Sequence, residues 1–347
     1  MITKVFTSNE WSEALQDISD SYRIFVPVKE GDFHNFRPLE KGLNIDLEYQ
    51  NSRMSPKFLV YPQSEGMFEC GRDTNNEETG ILKEIEKNYP KQAVIGIRPC
   101  DAHAFQIVKR NFDNKEYQDP WWVKRFESTV LIGLGCNEPC STCFCSSVNG
   151  GPFDEKNLDV MLYKIGEKFL AKTITNKGEE FIKKIEQGSP GDDAILKEAK
   201  KLANSASKKI SSSIKTDKLH EKPVNDLFDA PFWEDVAFAC INCGTCTYLC
   251  PTCWCFDIQD ETAGNQVLRM RNWDSCMSPL FTLEGSGHNP RSEKYQRVRQ
   301  RFMHKLKYYV DKYENGVQCS GCGRCVRYCP VNIDIRHVAE LMNNFAK

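Results

Sequence analysis

CINCGTCTYLCP, residues 240 to 251, returns at residues 319 to 330 as CSGCGRCVRYCP. Both copies read C-x2-C-G-x-C-x3-C-P, so the chain must close two similar short loops around something that binds thiolates. Three cysteines spaced by two residues wrap one face of an iron–sulfur cube. The fourth points away and serves the other cluster of a pair. The pattern therefore predicts one 4Fe–4S cluster on Cys240, Cys243, Cys246 and Cys329, and a second on Cys319, Cys322, Cys325 and Cys250. Gly244 and Gly323 hold equivalent places, where a tight loop calls for positive φ or close backbone approach. Pro251 and Pro330 end each loop by fixing φ and removing an amide donor. Structural zinc also favours C-x2-C pairs and would make the chain a zinc-stabilised interaction protein. Zinc sites usually draw two ligands from each of two separated pairs, whereas here a compact triplet with a trailing Cys-Pro occurs twice.

The stretch between the two copies is too long for a small ferredoxin. It contains a helical stripe, Tyr295, Val298, Phe302, Leu306 and Tyr309, at spacings of three and four. A mostly helical C-terminal domain is expected, with clusters held between helix ends. Arg297, Arg299, Arg301, Lys305 and Lys307 share this helix and read first as a solvated face, second as a docking surface for an acidic partner. No aromatic stacking platform or known reader motif accompanies them, which argues against nucleic acid.

Upstream, Ala93 to Ile97 reads as a buried strand, followed by a turn and a helix, and Thr129 to Leu134 as a second strand. A βαβ unit makes such strands parallel and usually close in the sheet, so both end on the same edge. Ligands gather at the carboxyl ends of strands in open α/β sheets. Cys100 follows the first strand end and Cys136 the second, in GCNEPCSTCFCSS, which adds Cys140, Cys143 and Cys145. Five thiols thus converge on what is most simply one four-ligand cluster, with buried free thiols as the alternative for one or two of them.

Composition sets the compartment. The chain has 347 residues, enough for about two domains, and 17 cysteines. Its first residues, MITKVFTSNEWSEAL, lack the features of a secretory signal, so disulfides are not expected and a cytoplasmic protein is. No apolar run approaches the length of a membrane span. With 46 basic and 48 acidic residues, net charge is −2, and nothing points to nucleic acid or membrane as partner. There is no glycine-rich dinucleotide fingerprint, P-loop or paired catalytic carboxylate motif, so no catalytic residue is assigned.

MSPKFLVYPQSE (54 to 65), RPCD (98 to 101), TCFC (142 to 145), CPTCWCFD (250 to 257), WDSCM (273 to 277), GHNPR (287 to 291) and the closing CSGCGRCVRYCP together resemble one family. It is the family of iron–sulfur electron-transfer subunits that includes the sulfhydrogenase (cytoplasmic NiFe hydrogenase) beta subunit and the dicluster iron–sulfur component of anaerobic sulfite reductase. The resemblance runs from about residue 20 to about residue 335. It implies that the upstream ligands are Cys100, Cys136, Cys143 and Cys145, since the position of Cys140 is commonly not cysteine. It further implies an electron relay between an NAD(P)H-linked flavoprotein subunit and a separate catalytic subunit of hydrogenase or heterodisulfide-reductase type, within a hetero-oligomer. GHNPR fits the hydrogenase branch better than the sulfite-reductase branch.

The expected whole is an N-terminal α/β domain with a partly parallel sheet and one 4Fe–4S site (1–170), a charged helical linker (171–224) and a helical ferredoxin-like domain with two clusters (225–347). Three 4Fe–4S clusters would form a relay for single electrons, with catalysis in the partners. Cys70 is expected to be structural, and Cys253, Cys255 and Cys276 buried thiols, with a cluster-lining role or an extra site as the alternative. His103 and His288 lie near the candidate sites without being assigned as ligands.

Overall fold

The computed structural model describes all residues except 74, 76, 315 and 347. Among the described residues, twelve strands form two sheets: β1 (Thr3–Thr7), β2 (Arg23–Glu30), β3 (Phe33–Pro38), β4 (Ser64–Gly71), β5 (Lys83–Glu84), β6 (Gln92–Ile97), β7 (Thr129–Leu134), β8 (Val160–Ile165), β9 (Lys168–Thr173), β10 (Ser189–Pro190), β11 (Phe256–Ala263) and β12 (Gln266–Trp273).

QAVIGI and TVLIGL are buried at every residue, as strands covered on both faces must be. They become β6 and β7, the middle of an eight-stranded sheet ordered β10-β1-β9-β8-β7-β6-β2-β3. β2, β6, β7 and β8 run parallel, and antiparallel strands close both edges. This is the partly parallel α/β sheet expected from the sequence. Helix Pro99–Phe112 starts at the end of β6, and helix Pro120–Ser128 leads into β7. Val94, Ile95, Ile132, Val160, Leu162, Phe105, Trp122 and Phe181 pack into the first core.

A second core gathers Trp233, Val298, Phe302, Leu306, Val338 and Met342 from the C-terminal helices. The expected stripe is a continuous helix, Lys294–Met303 running through a π turn, His304–Tyr308, into Tyr309–Tyr313. Residues 171–224 do more than link. They begin inside β9 and supply helices Asn176–Lys183 and Asp193–Lys208, whose Phe181, Ile182 and Ala199 join the first core; Ile214 and Leu219 then join the second. No helix among the described residues is long and apolar enough to cross a membrane.

The C-terminal half is not helical throughout. β11 and β12 form a hairpin over Gly264-Asn265, with Gly264 at φ +60°, a glycine-first turn suited to the twist of paired strands. β12 then pairs with β4, and the second sheet, β11-β12-β4-β5, joins both halves of the chain. β11 is mostly exposed, so it lacks the apolar face that would have marked it as a strand.

Glu65 anchors this junction. Its side chain is 2% exposed and binds Arg271 of β12 at 2.7 Å, Lys87 at 2.8 Å and Arg125. Arg271 also binds Asp119. These cations hold the Glu65 carboxyl below its usual range against the opposing effect of burial. Removing one member of such a buried set leaves unpaired charge and costs about 3–5 kcal/mol. Glu65→Ala is expected to lower the denaturant midpoint by that much stability, measured by urea unfolding under anaerobic conditions.

Candidate metal centres

Each C-x2-C-G-x-C loop turns at its glycine. Gly244 and Gly323 both sit at φ +71° and open short helices, Thr245–Tyr248 and Arg324–Arg327. Cys240, Cys243 and Cys246 of the first loop and Cys329 of the second line one small cavity, walled by Met277, Val298, Phe302, Pro330 and Ile333. The trailing cysteine of one copy thus reaches the triplet of the other. Cys319, Cys322 and Cys325 each lie within electrostatic reach of Cys250. Backbone amides already point at sulfur: Asn242 N–H to Cys240 at 3.4 Å, Gly321 N–H to Cys319 at 3.4 Å and Ile333 N–H to Cys329 at 3.2 Å. Such donors favour thiolates.

At the other site, Cys100 lies in the first turn of the helix after β6 and Cys136 just past β7. Cys100, Cys136, Cys140, Cys143 and Cys145 line a small cavity together with Cys322. All five thiols are brought together, as the strand order predicts. Arg98 fixes the edge by donating to the carbonyls of Leu134 at 3.1 Å and Gly135 at 2.7 Å. Its guanidinium lies 4.3 Å from the centre of the Tyr49 ring. Burial pushes the Cys145 thiol up to about 12 and the Cys100 thiol well above its usual range. Cys143 donates a hydrogen bond to Cys140, and with Arg327 nearby this draws the Cys140 thiol down to about 6. Thiols raised by burial, as Cys100 and Cys145 are, ionise only against strong positive charge, which a bound metal cluster would provide.

The two halves meet at the second loop. Gly321 accepts a hydrogen bond from Phe144 N–H at 2.9 Å, and a Cβ on Gly321 would sit 2.6 Å from the Cys145 backbone. A Cβ on Gly323 would sit 2.4 Å from the Thr142 carbonyl. Arg324, between Cys322 and Cys325, is fully buried and grips Asp101 beside Cys100 at 2.6 and 2.7 Å. Its remaining donors reach Asn51 and Ser52.

Much of the basic run on the long helix does not face solvent. Arg297, Arg301, Lys305 and Lys307 are buried. Arg301 faces Cys246, Cys325, Cys253 and Cys250, and its Nε and Nη2 atoms find no hydrogen-bond partner. Lys305 faces Cys250, Cys253 and Cys319 and donates to Thr252 Oγ1 at 2.8 Å. Spacing of i and i+4 puts both on one helix face. Lys57, which carried no signal in the sequence, is buried beside Cys253 and Cys250 and donates to both their carbonyls at 2.9 Å. Among the described residues none of these three cations pairs with a carboxylate. Orphaned cations aimed at thiols fit anionic clusters. Also among the described residues, no three His, Cys, Asp or Glu side chains are disposed to hold one metal ion. A single zinc draws its thiolates tightly together, whereas a cluster holds each on a different iron.

Of the other residues, Cys70 is a half-exposed residue of β4, and His288 is exposed. His103 is lowered by burial and its Nδ1, without a partner, lies behind Gly150 in the loop after Cys145.

Residues 239–333 match the 4Fe–4S dicluster domain. Over 340 residues, 96% of both chains, the protein is 28% identical to sulfhydrogenase 2 subunit beta of Pyrococcus furiosus. Both similarities point the same way, to an iron–sulfur subunit. No solved structure matches it. The dicluster match spans both cysteine loops, the hairpin and the basic helix.

The two equivalent glycines differ in what surrounds them. A Cβ on Gly244 meets the Tyr248 ring at 3.0 Å, a side chain able to shift, whereas on Gly323 it meets backbone. A left-handed non-glycine residue already costs about 1–2 kcal/mol. Gly323→Ala is expected to lose more thermal stability than Gly244→Ala and to lower iron content as well, read by melting temperature and iron per chain.

Proposed function

We propose that the chain is the electron-transfer subunit of a cytoplasmic anaerobic oxidoreductase complex, relaying single electrons between an NAD(P)H-linked flavoprotein subunit and a catalytic subunit of hydrogenase or heterodisulfide-reductase type. Cys240, Cys243, Cys246 and Cys329 hold one 4Fe–4S cluster. Cys319, Cys322, Cys325 and Cys250 hold a second, and Cys100, Cys136, Cys143 and Cys145 a third. A cluster held by four thiolates exchanges one electron at a time and presents no open iron to substrate. The division of labour is one site in residues 1–170, a connecting segment at 171–224 and two sites in 225–347.

The observation that carries this proposal is the contact of the second cysteine loop with both neighbouring sites. Its Cys329 lines the first cavity, its Cys322 lines the upstream cavity, and its glycines lie against the 142–145 backbone. The three sites therefore adjoin in series. At the first quartet Cys243 is exposed, and Phe238 and Ile241 beside it are 84% and 63% exposed. An apolar rim around an exposed ligand suits a protein partner that receives or delivers electrons. The hydrogenase-type partner is favoured by the name of the Pyrococcus furiosus relative.

Anaerobically purified protein is expected to contain iron and acid-labile sulfide. Zinc with negligible iron overturns the proposal. At the upstream site, Cys100→Ser and Cys143→Ser are each expected to remove about four irons per chain, while Cys140→Ser changes iron little. Equal losses from Cys140→Ser and Cys100→Ser show the ligand assignment to be wrong.

A further inference from the structure

CSTCFC at residues 140 to 145 recurs as CPTCWC at residues 250 to 255, with cysteine at the first, fourth and sixth places, threonine third and an aromatic residue fifth. The copies share local structure as well. Cys143 N–H donates to the Cys140 carbonyl at 2.9 Å, and Cys253 N–H to the Cys250 carbonyl at 3.4 Å. In each copy the fourth-place thiol donates to the first-place sulfur, and a cation stands beside that sulfur: Arg327 by Cys140, Lys305 by Cys250. Phe144 packs into the second core and Trp254 against the first.

In the first copy, the fourth- and sixth-place thiols, Cys143 and Cys145, join Cys100 and Cys136 around one cavity. In the second copy the corresponding thiols meet Cys276. Cys276 is 7% exposed, shares a hydrogen bond with the Cys255 thiol, and stands within electrostatic reach of Cys253. We propose that Cys253, Cys255 and Cys276 hold a fourth iron–sulfur cluster, an inference that rests on the electron-transfer function proposed above.

Charge and hydrogen bonding favour an anionic group there. Lys57, 5% exposed and without a carboxylate partner among the described residues, faces Cys253 and Cys255 as well as Cys250. Arg301 faces Cys253 and Cys276. A buried cation without a counter-charge is costly, and a cluster with three thiolates supplies that charge. The Cys276 N–H points at the Cys255 sulfur. Asp274 donates its N–H to the Cys255 carbonyl at 3.0 Å and turns Oδ1 toward the Ser275 N–H at 2.6 Å. The site thus offers three thiols, and its fourth ligand would be a group other than cysteine. Cys250, the counterpart of Cys140, stays with the second ferredoxin quartet. In neither copy is the first-place thiol a ligand of the cluster its own hexapeptide holds.

The test is iron and acid-labile sulfide per chain, with native mass spectrometry of the anaerobically prepared full chain as a count of clusters. Cys255→Ser and Cys276→Ser are each expected to lose about three to four irons while the reduced-state electron paramagnetic resonance signals of the other clusters persist. Cys70→Ser, on β4, is expected to lose none. Unchanged iron in Cys255→Ser and Cys276→Ser, alongside loss in Cys243→Ser, overturns the fourth site and leaves the electron-transfer proposal standing. Absence of iron from the wild-type chain overturns both. Should a variant shed every cluster, the wild-type count decides: about sixteen irons supports the fourth site, and about twelve with Cys100→Ser losing a cluster overturns it.

Discussion

One fully buried ion pair, Arg324 to Asp101, holds the architecture in register. Asp101 follows Cys100 in the first turn of the helix after β6, and Arg324 lies between two cysteines of the second loop. Desolvating both charges is expensive, and the cost is offset only when geometry is good and the remaining donors are satisfied. Here the fork is bidentate and Asn51 and Ser52 take up the rest. Loss of either partner would strand a charge at the seam between sheet and cysteine loops. The pair therefore acts as a specificity device: alternative dockings of the loop against the sheet edge leave the guanidinium unpaired.

What the sequence disclosed follows the range over which each signal acts. The two ferredoxin loops were legible because ligand spacing within them is local, and the exchange of Cys250 and Cys329 between quartets comes with the motif. The upstream convergence was legible one step further out, since parallel neighbouring strands place their ends together and so bring Cys100 to Cys136. The hairpin of β11 and β12 was not legible: its outer strand is polar and exposed, and its partner β4 lies almost two hundred positions earlier. Nor could the inward aim of Arg301 and Lys305 be read, because a helix face rich in cations looks the same in sequence whether it meets water or thiolates. Lys57 shows the limit plainly. Nothing near it in the chain announces that its ammonium will cap the Cys250 and Cys253 carbonyls.

Close packing at Gly321 and Gly323 has its own consequence. With backbone of residues 142 to 145 lying where a Cβ would be, the upstream loop and the second ferredoxin loop cannot shift independently. Phe144, fully buried between them and hydrogen-bonded to Gly321, wedges the contact from the second core. The sites are therefore parts of one rigid unit, even though their ligands come from segments far apart in sequence. Rigidity of this kind limits how far polar groups reorganise when charge at the site changes.

Electrostatics explains why three cations can be buried without carboxylates. Arg301, Lys305 and Lys57 surround Cys250 and Cys253, and each is removed from water. At Lys57 desolvation wins over the neighbouring thiols and draws the ammonium down to about 8; at Lys305 the thiols win and raise it. Each faces three thiols and one neighbouring cation, Lys305 for Lys57 and Arg301 for Lys305. Positive charge fixed this close to thiolate ligands stabilises the more negative, reduced state of whatever they hold, and so raises its potential. In the first loop, Cys243 is at the surface and Cys246 faces Arg301. Buried positive charge is thus concentrated around Cys250 and Cys253.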